Sequence, residues 1–393
     1  MTDVVLKGEM VEEYFRDARE RHAVYLRRRA GMSKPWTNDP VMQNYRITNV
    51  FRELDKTTVH LRTHVRDPLR THPLVLPAVA LYRWFTLIRT GETLFLQPSF
   101  LDAAADATSA VAAAEGTGRG RYAADPAVPA GLAAAEPGKP ATPWQRWLAT
   151  EDVKELEWAL RKQGAPGCTG AFMIRSPIGI DKLEGVLSSF RSFWEGRPHF
   201  RVSSSKTVPM NWMEVADYCL SQRRLGIGTE VSCAQVHEWL KNFYGLGDFL
   251  ANEIVSDLRH TDLLDRAPDA GTFNSPGPGA LRGAYLMIYG VKQGRKDRLE
   301  KASMKETLAV MDALREMSRD VRYWPQWNEE FERYDTDGSF YDTQLTDVFA
   351  AGFGNKEGAW PVWGGREPGM WLCEMTKLKR TRLGIGRPRG NYE

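Results

Sequence analysis

"NFYGLGDFLANEIVSDLRH", residues 242–260, decides how the chain is read. It opens as the end of one helix, passes through Gly245 and Gly247, and continues as a second helix with small Ala251 one turn in. Many helical pairs are joined by a glycine turn, so a plain αα-hairpin is one reading. The other is that the two glycines expose backbone N–H groups at a helix N-terminus, where amides and helix dipole hold an anion such as phosphate.

Working outward, the chain reads as mainly α. Residues 8–30 have helical spacing with dense charge and predict an exposed helix. Ile47, Val50, Phe51, Leu54 and Val59 recur at helical intervals and predict one helix over 42–65. Further helices are expected over 76–88, 142–164, 179–195, 211–222, 233–243, 301–321 and near 325–334, with a short apolar piece, "GAFMIRSP", at 170–177. Strand signals are few, and no repeat or βαβ alternation is found. Between 102 and 142 the composition collapses to Ala, Gly, Pro and Asp, as in a mobile surface insertion. Composition thus divides the chain into an N-terminal helical region (1–101), a low-complexity insertion (102–142), a hairpin-bearing core (143–300) and a C-terminal helical region with a basic tail (301–393).

Composition excludes several classes. With 42% hydrophobic and 26% charged residues over 393 positions, the chain has the makeup of a globular protein with a sizeable core. Four scattered cysteines without CxxC spacing argue against a disulfide framework or zinc ribbon and suit a reducing cytoplasm. No apolar run reaches the roughly 18 residues of a membrane span, and the charged N-terminus is unlike a signal peptide. Thirteen tryptophans are many; Trp is usually core, though it also stacks on bases. No GxxxxGK[ST], GxGxxG, HExxH or GxSxG is present, which removes the P-loop, dinucleotide, zincin and α/β-hydrolase readings. His60 and His64 stand four apart, but no third ligand is evident, so a surface pair beside arginines is expected and no metal site. "DTDG" at 335–338 lacks the later ligands of a calcium loop and reads as a turn.

Three further signals accompany the hairpin. "SPGPGALRG" (275–283) combines a rigid loop having free amides, at Gly277 and Gly279, with Arg282 at a helix start, as in an anion cradle with a guanidinium beside it. Asp269 lies twenty-two residues after Gly247, between these two elements. The tail carries Lys377, Lys379, Arg380, Arg382, Arg387 and Arg389 with no acidic residue between them, which suits a polyanion, and Glu374 and Cys373 precede it.

"GLGDFLANEIV", followed at that spacing by Asp269, resembles the helix-hairpin-helix DNA glycosylase superfamily, in which the hairpin binds the DNA backbone and an Asp faces the flipped nucleotide. The position two residues after the second hairpin glycine, a Schiff-base lysine in bifunctional members, is Phe249, so lyase chemistry is not implied. "NYRITNVFRELDKTT", "GAFMIRSP", "GLGDFLANEIVSDLR", "SPGPGALRG" and "WLCEMTKLKRTRLGIGRPR" are similar to the phage thymine-hypermodification proteins, a group named for α-glutamyl/putrescinyl thymine pyrophosphorylases. It includes amino acid:DNA transferases and the helical domain of 5-hydroxymethyluracil DNA kinases.

The resemblance implies an all-α, two-lobed helix-hairpin-helix glycosylase-like fold with DNA in a cleft. It implies transfer of an amino acid or polyamine onto 5-pyrophosphoryloxymethyl-uracil, with pyrophosphate released and the base flipped. Because the kinases add a P-loop, its absence points to the transferase. Gly245 and Gly247 are then expected to hold the DNA backbone, Gly277, Gly279 and Arg282 to face pyrophosphate or a neighbouring phosphate, and Asp269 to act as base for the amine or to orient it. Arg46, Asn49 and Arg52 would line the cleft from one helical face, Glu374 and Lys377 would read the base edge or the incoming carboxylate, and Arg380 and Arg382 would meet DNA. Neither cofactor nor metal is implied. The partners implied are double-stranded phage DNA, a free amino acid or polyamine, and other hypermodification enzymes, in the cytoplasm of an infected bacterium. Two alternatives stand beside this reading: a monofunctional glycosylase of a modified pyrimidine, and a non-catalytic DNA-binding partner of a hydroxymethyluracil kinase.

Overall fold

The computed structural model of the chain describes residues 4–97, 132, 141–162, 181–197, 211–224, 231–291, 300–323 and 363–385. Among these the regular elements are helices and none is a strand, so the chain is all-α. It divides into two compact units, residues 1–55 with 271–393 and residues 56–270. Their limits fall at 55/56 and 270/271, where the sequence reading divided the chain at 101, 142 and 300. No helix among the described residues is long and apolar enough to cross a membrane.

The first unit is built on α1 (Gly8–Arg29), α2 (Pro40–Asn44), α12 (Pro278–Tyr289), α13 (Met304–Met317) and α14 (Arg366–Arg382). Its core gathers Met10, Tyr14 and Phe15 of α1 with Trp363, Trp371 and Leu372. Trp371 donates its indole N–H to the Tyr14 carbonyl at 2.9 Å, and the Tyr14 hydroxyl donates to the Pro368 carbonyl at 3.2 Å. Helix α1 is therefore a core helix and not the exposed one expected. Its charges misled because several are themselves buried: Arg21 donates to the Ile47 carbonyl at 2.8 Å, and Asp17 pairs with Arg382.

The single helix expected over 42–65 is broken. Asp39 caps α2 by accepting from the Val41 and Met42 amides, and the chain leaves helical geometry at Tyr45 (φ −116°, ψ 141°). It then runs extended to a 3₁₀ turn, Arg52–Leu54. Tertiary bonds hold it there: the Ile47 carbonyl takes Arg21, and the Thr48 hydroxyl donates to Glu374 at 3.1 Å, while locally the Asn49 side chain donates to the Leu54 carbonyl at 2.8 Å. Helical spacing of apolar residues was outweighed by bonds that only the folded chain supplies.

In the second unit stand α3 (Lys56–Leu61, continued by a π turn to Arg66), α4 (Val75–Phe85), α5 (Ile88–Phe95), α6 (Pro143–Thr150), α7 (Val153–Lys162), α8 (Lys182–Trp194), α9 (Trp212–Arg224), α10 (Cys233–Leu240) and α11 (Asp248–Leu258). The helix expected over 142–164 is split at Glu151, whose φ of 53° ends α6 in a left-handed cap. Every residue of α4 is buried, as in a helix that core surrounds on all sides. Trp84, Trp144, Trp147, Trp194 and Trp212 are wholly buried beside it, so these tryptophans are core. Leu132 of the Ala/Pro segment is also buried, and its carbonyl takes the Trp144 indole N–H at 2.9 Å. "GAFMIRSP", "DTDG", the 325–334 segment, Arg387 and Arg389 lie outside the described residues.

Inside this apolar helix sits a guanidinium. Arg83 donates to both oxygens of Asp257 on α11, at 2.5 and 2.8 Å, and to the Thr58 hydroxyl at 3.2 Å. Arg83 and Asp257 are wholly buried. Burial opposes the Arg83 charge, but Asp257 and then Glu253 outweigh it and hold the group firmly cationic. Replacing Asp257 by Ala strands that charge, so unfolding of the Asp257→Ala variant in urea should show a loss of about 3–5 kcal/mol, read with a probe in this unit.

Candidate active site

The hairpin quoted first forms as expected between α10 and α11. Gly245 has φ +80°, and a Cβ there would lie 3.2 Å from the Trp84 indole nitrogen and 3.4 Å from Ser189 Oγ, so this glycine is required by the turn and by what lies under it. Gly247 is different. It begins α11 with φ −83°, no side chain caps the helix, and a Cβ would meet nothing within 4 Å.

Asp269 lies in the same unit. Its two oxygens accept from the Cys233 and Ala234 amides at 2.6 and 3.0 Å, so it caps the N-terminus of α10 together with Ser232. Burial, reinforced by this carboxylate, pushes the Cys233 thiol up to about 12. His60 is buried and not a surface residue; its Nδ1 lies 3.2 Å from the Tyr82 hydroxyl and its ring 4.7 Å from that of His64. Among the described residues no group of three metal-ligating side chains gathers.

The other unit collects a charged cluster around a close helix crossing. Gly279 and Gly283, one turn apart on α12, face α14 so tightly that a Cβ on Gly279 would lie 2.3 Å from Cys373 Sγ and one on Gly283 would lie 2.4 Å from the Leu372 carbonyl oxygen. The Thr376 hydroxyl donates to the Gly279 carbonyl at 3.0 Å. Arg282, on the same helix, and Arg52, from the 3₁₀ turn, both lie within electrostatic reach of Cys373, as do Glu374 and Lys377. Gly277 begins α12 uncapped, with open space where its Cβ would be.

The partners of each charge differ. Glu374 is buried and holds the extended 45–51 stretch, accepting from the Thr48 amide at 3.3 Å and hydroxyl at 3.1 Å, and it pairs with Lys377. Burial works against the Lys377 charge, but Glu374 and then Cys373 overcome it and raise its pKa. Arg52 pairs with Asp55, whose carboxyl burial raises despite that partner. Among the described residues the Arg282 guanidinium bonds only the Pro278 carbonyl, at 3.3 Å. Burial pushes the Cys373 thiol up to about 11; Glu374 adds to this, and Lys377, Arg282 and Arg52 pull against it.

Other residues named from the sequence lie elsewhere. Asn49 is buried in the fold of its own stretch, Arg46 is exposed, and Arg52 is half-buried, so the three do not share a helical face. Arg382 pairs with Asp17, Asp39 (2.7 Å) and Glu13 (3.2 Å), tying the end of α14 to the body of α1 and the cap of α2, and Arg380 donates to the Ile385 carbonyl at 3.2 Å, just past α14. Thr48, Asp55 and Cys373 join the cluster without having been singled out as site residues. Only "RELD", with Arg52 and Asp55 three apart, offered a signal.

The sequence pattern of the family described as 5-hmdU DNA kinase, helical domain, matches residues 8–115 and 138–340, well over half of the chain. The chain belongs to this family. A 5-hmdU DNA kinase of Bacillus phage SP10 is 36% identical over 86 residues, which are 21% of this chain and 14% of that kinase. The chain thus spans a small part of the length of the relative it matches. No solved structure matches it. The family match takes in Arg52, the hairpin, Asp269 and α12 with Arg282, and it ends before Cys373, Glu374 and Lys377.

Two measurements check this geometry. Gly279→Ala should cost about 1–3 kcal/mol by overpacking, and Cys373→Ala should relieve part of that cost in the double variant; Gly283→Ala, which meets backbone, should gain no such relief. Iodoacetamide labelling of Cys373, mapped by mass spectrometry, should rise about tenfold per pH unit up to near pH 11 because only the thiolate reacts; a plateau near pH 8.5 would contradict the burial described.

Proposed function

We propose that the protein modifies thymine-derived bases of phage DNA, transferring an amino acid or polyamine onto 5-pyrophosphoryloxymethyl-uracil with release of pyrophosphate. The observation that carries this reading is the convergence of Arg52, Arg282 and Lys377 beside the α12–α14 crossing. Arg52 and Lys377 already have carboxylate partners, while Arg282 keeps donors directed at no carboxylate among the described residues. Such a set stabilises charge that accumulates on a departing anion.

The chemistry needs little else from the protein. Electron release from the ring breaks the bond between the methylene carbon and the bridging oxygen, and the pair leaves with pyrophosphate. The lone pair of a neutral amine then forms the new C–N bond, and the proton displaced from nitrogen passes to solvent water. Arg282 and Lys377 would meet the leaving oxygens, while Glu374 positions Lys377. The Gly277 start of α12 would add amide donors. Gly245 and Gly247 are proposed to hold the DNA backbone. Gly247 supports this because neither its φ nor internal crowding calls for glycine, whereas close approach of a phosphate from outside does. For Asp269 the resemblance implies a place facing the flipped nucleotide; we keep that as a separate proposal, since a carboxylate with two amides bound retains acceptor capacity.

Membership in the family of kinase helical domains favours one second reading, a DNA-holding body that works with a phosphoryl-transferring part. The test uses DNA bearing 5-pyrophosphoryloxymethyl-deoxyuridine, incubated with the protein and a mixture of amino acids and polyamines, then digested for mass spectrometry. A nucleoside heavier by one amine, with pyrophosphate released, is expected, and Arg282→Ala should lower kcat about 100-fold. Unchanged starting nucleoside with every donor would favour the DNA-holding reading, and abasic sites would indicate a glycosylase.

A further inference from the structure

The second unit holds a polar cluster that the proposed chemistry does not use. His60 stands on α3, His64 on the π turn that continues it, Tyr82 on α4 and Glu92 on α5. Single π turns are uncommon and frequently mark functional sites. This one carries the His64 ring to 4.7 Å from that of His60, centroid to centroid. Helix α5 comes close because Gly91 has no side chain. A Cβ there would strike the Tyr82 ring and lie 3.1 Å from His60 Cε1, the carbon between the two ring nitrogens.

Hydrogen bonding fixes which nitrogen of His60 carries the proton. The Tyr82 hydroxyl has one proton and donates it to the Thr57 carbonyl at 3.1 Å. Its oxygen then accepts from His60 Nδ1, 3.2 Å away, so the neutral ring leaves Nε2 as a bare lone pair. Burial, and after it His64, holds this ring below the ordinary histidine pKa against the pull of Glu92, which keeps it neutral at physiological pH. His60 is 9% exposed, and its Nε2 is covered and has no hydrogen-bond partner. A buried acceptor left unmatched is costly, and a donor ligand would match it.

Two further acceptors stand beside it. Among the described residues, neither the half-exposed His64 side chain nor the half-buried Glu92 carboxylate makes a hydrogen bond or ion pair. Glu92 acts electrostatically on both His60 and Tyr82. The three do not gather as a metal site, whose ligands must all lie about 2 Å from one point. A primary ammonium asks less: it offers three N–H donors, each reaching an acceptor about 2.9 Å away, and a charge that one carboxylate meets. We propose that His60, His64 and Glu92 form a binding site for a primary ammonium, in which Glu92 meets the charge and the imidazoles accept N–H bonds once the His64 ring turns aside. Amine donors belong to this chemical class, so the choice of ligand rests on the reading that the protein transfers an amine.

The test follows the side-chain resonances of nitrogen-15-labelled histidine in the full chain at neutral pH, assigned from His60→Gln and His64→Gln variants. The free chain should show His60 as the Nδ1–H tautomer. Putrescine or glycine should shift the His60 Nε2 and His64 signals saturably, with affinity at least about tenfold lower in Glu92→Gln. Tetramethylammonium, which has the charge but no N–H, should leave them unmoved. Response to putrescine alone would support the site and name polyamines as its ligands, and response to glycine alone would name amino acids. No saturable shift with either, an equal response to tetramethylammonium, or unaltered affinity in Glu92→Gln overturns the site. If the chain nevertheless transfers amines to DNA, the proposed function stands without it; amine binding intact in a chain that transfers nothing overturns that function and leaves the ammonium site.

Discussion

Two glycines one helical turn apart, Gly279 and Gly283, make the cluster possible. Because Gly279 and Gly283 present only backbone to α14, the two helices approach until Cys373 and Leu372 fill the space that side chains would occupy. The same device recurs at the start of α14, where a Cβ on Gly365 would lie 2.4 Å from the Thr272 carbonyl oxygen and one on Gly369 would lie 2.2 Å from Asn274 Nδ2. Helix α14 is thus seated by glycines along its own length and along its neighbour's. A larger residue at these crossings would push α12 outward and carry Arg282 with it. The Thr376–Gly279 bond and the Glu374–Thr48 bonds then fix the faces of α14 that bear the charges.

The cations of this protein fall into two kinds, and their partners separate them. Arg83, Arg21 and Arg382 are consumed by the fold. Arg83 ties α4 to α11 through Asp257, Arg21 holds the 45–51 stretch, and Arg382 gathers acidic residues of α1 and the cap of α2. Their removal would act on stability first. Arg282 and Lys377 sit in a cluster where two carboxylates, Glu374 paired with Lys377 and Asp55 paired with Arg52, stand against three cations. A positive surplus beside a helix start is costly to leave without counter-charge, and an anionic ligand offsets it.

The sequence disclosed the helical character, the hairpin and the α12 start, because glycine, proline and apolar spacing are local signals. It also offers Arg282 through the glycine–proline loop, and Glu374 and Lys377 through the start of the basic tail. The breaks were harder. The 42–65 stretch has helical spacing, and what unwinds it is Arg21 and Glu374, 28 and 326 residues away from their partners Asn49 and Thr48. No window of sequence contains that information. Arg382 looked available for DNA because its acidic partners lie on α1 and next to α2, far from it in the chain. Gly279 shows the opposite limit: it was read as a phosphate cradle, while the structure also uses its missing side chain for packing on Cys373.

The central claim is that the cluster beside the α12–α14 crossing receives pyrophosphate. Titration calorimetry with inorganic pyrophosphate tests it without DNA, amine or turnover. The account predicts saturable binding to the wild-type chain that falls at least about tenfold in Arg282→Ala and is unaltered when exposed Arg161 is replaced by Ala. Absence of binding, or equal binding by the wild-type and Arg282→Ala proteins, would contradict it.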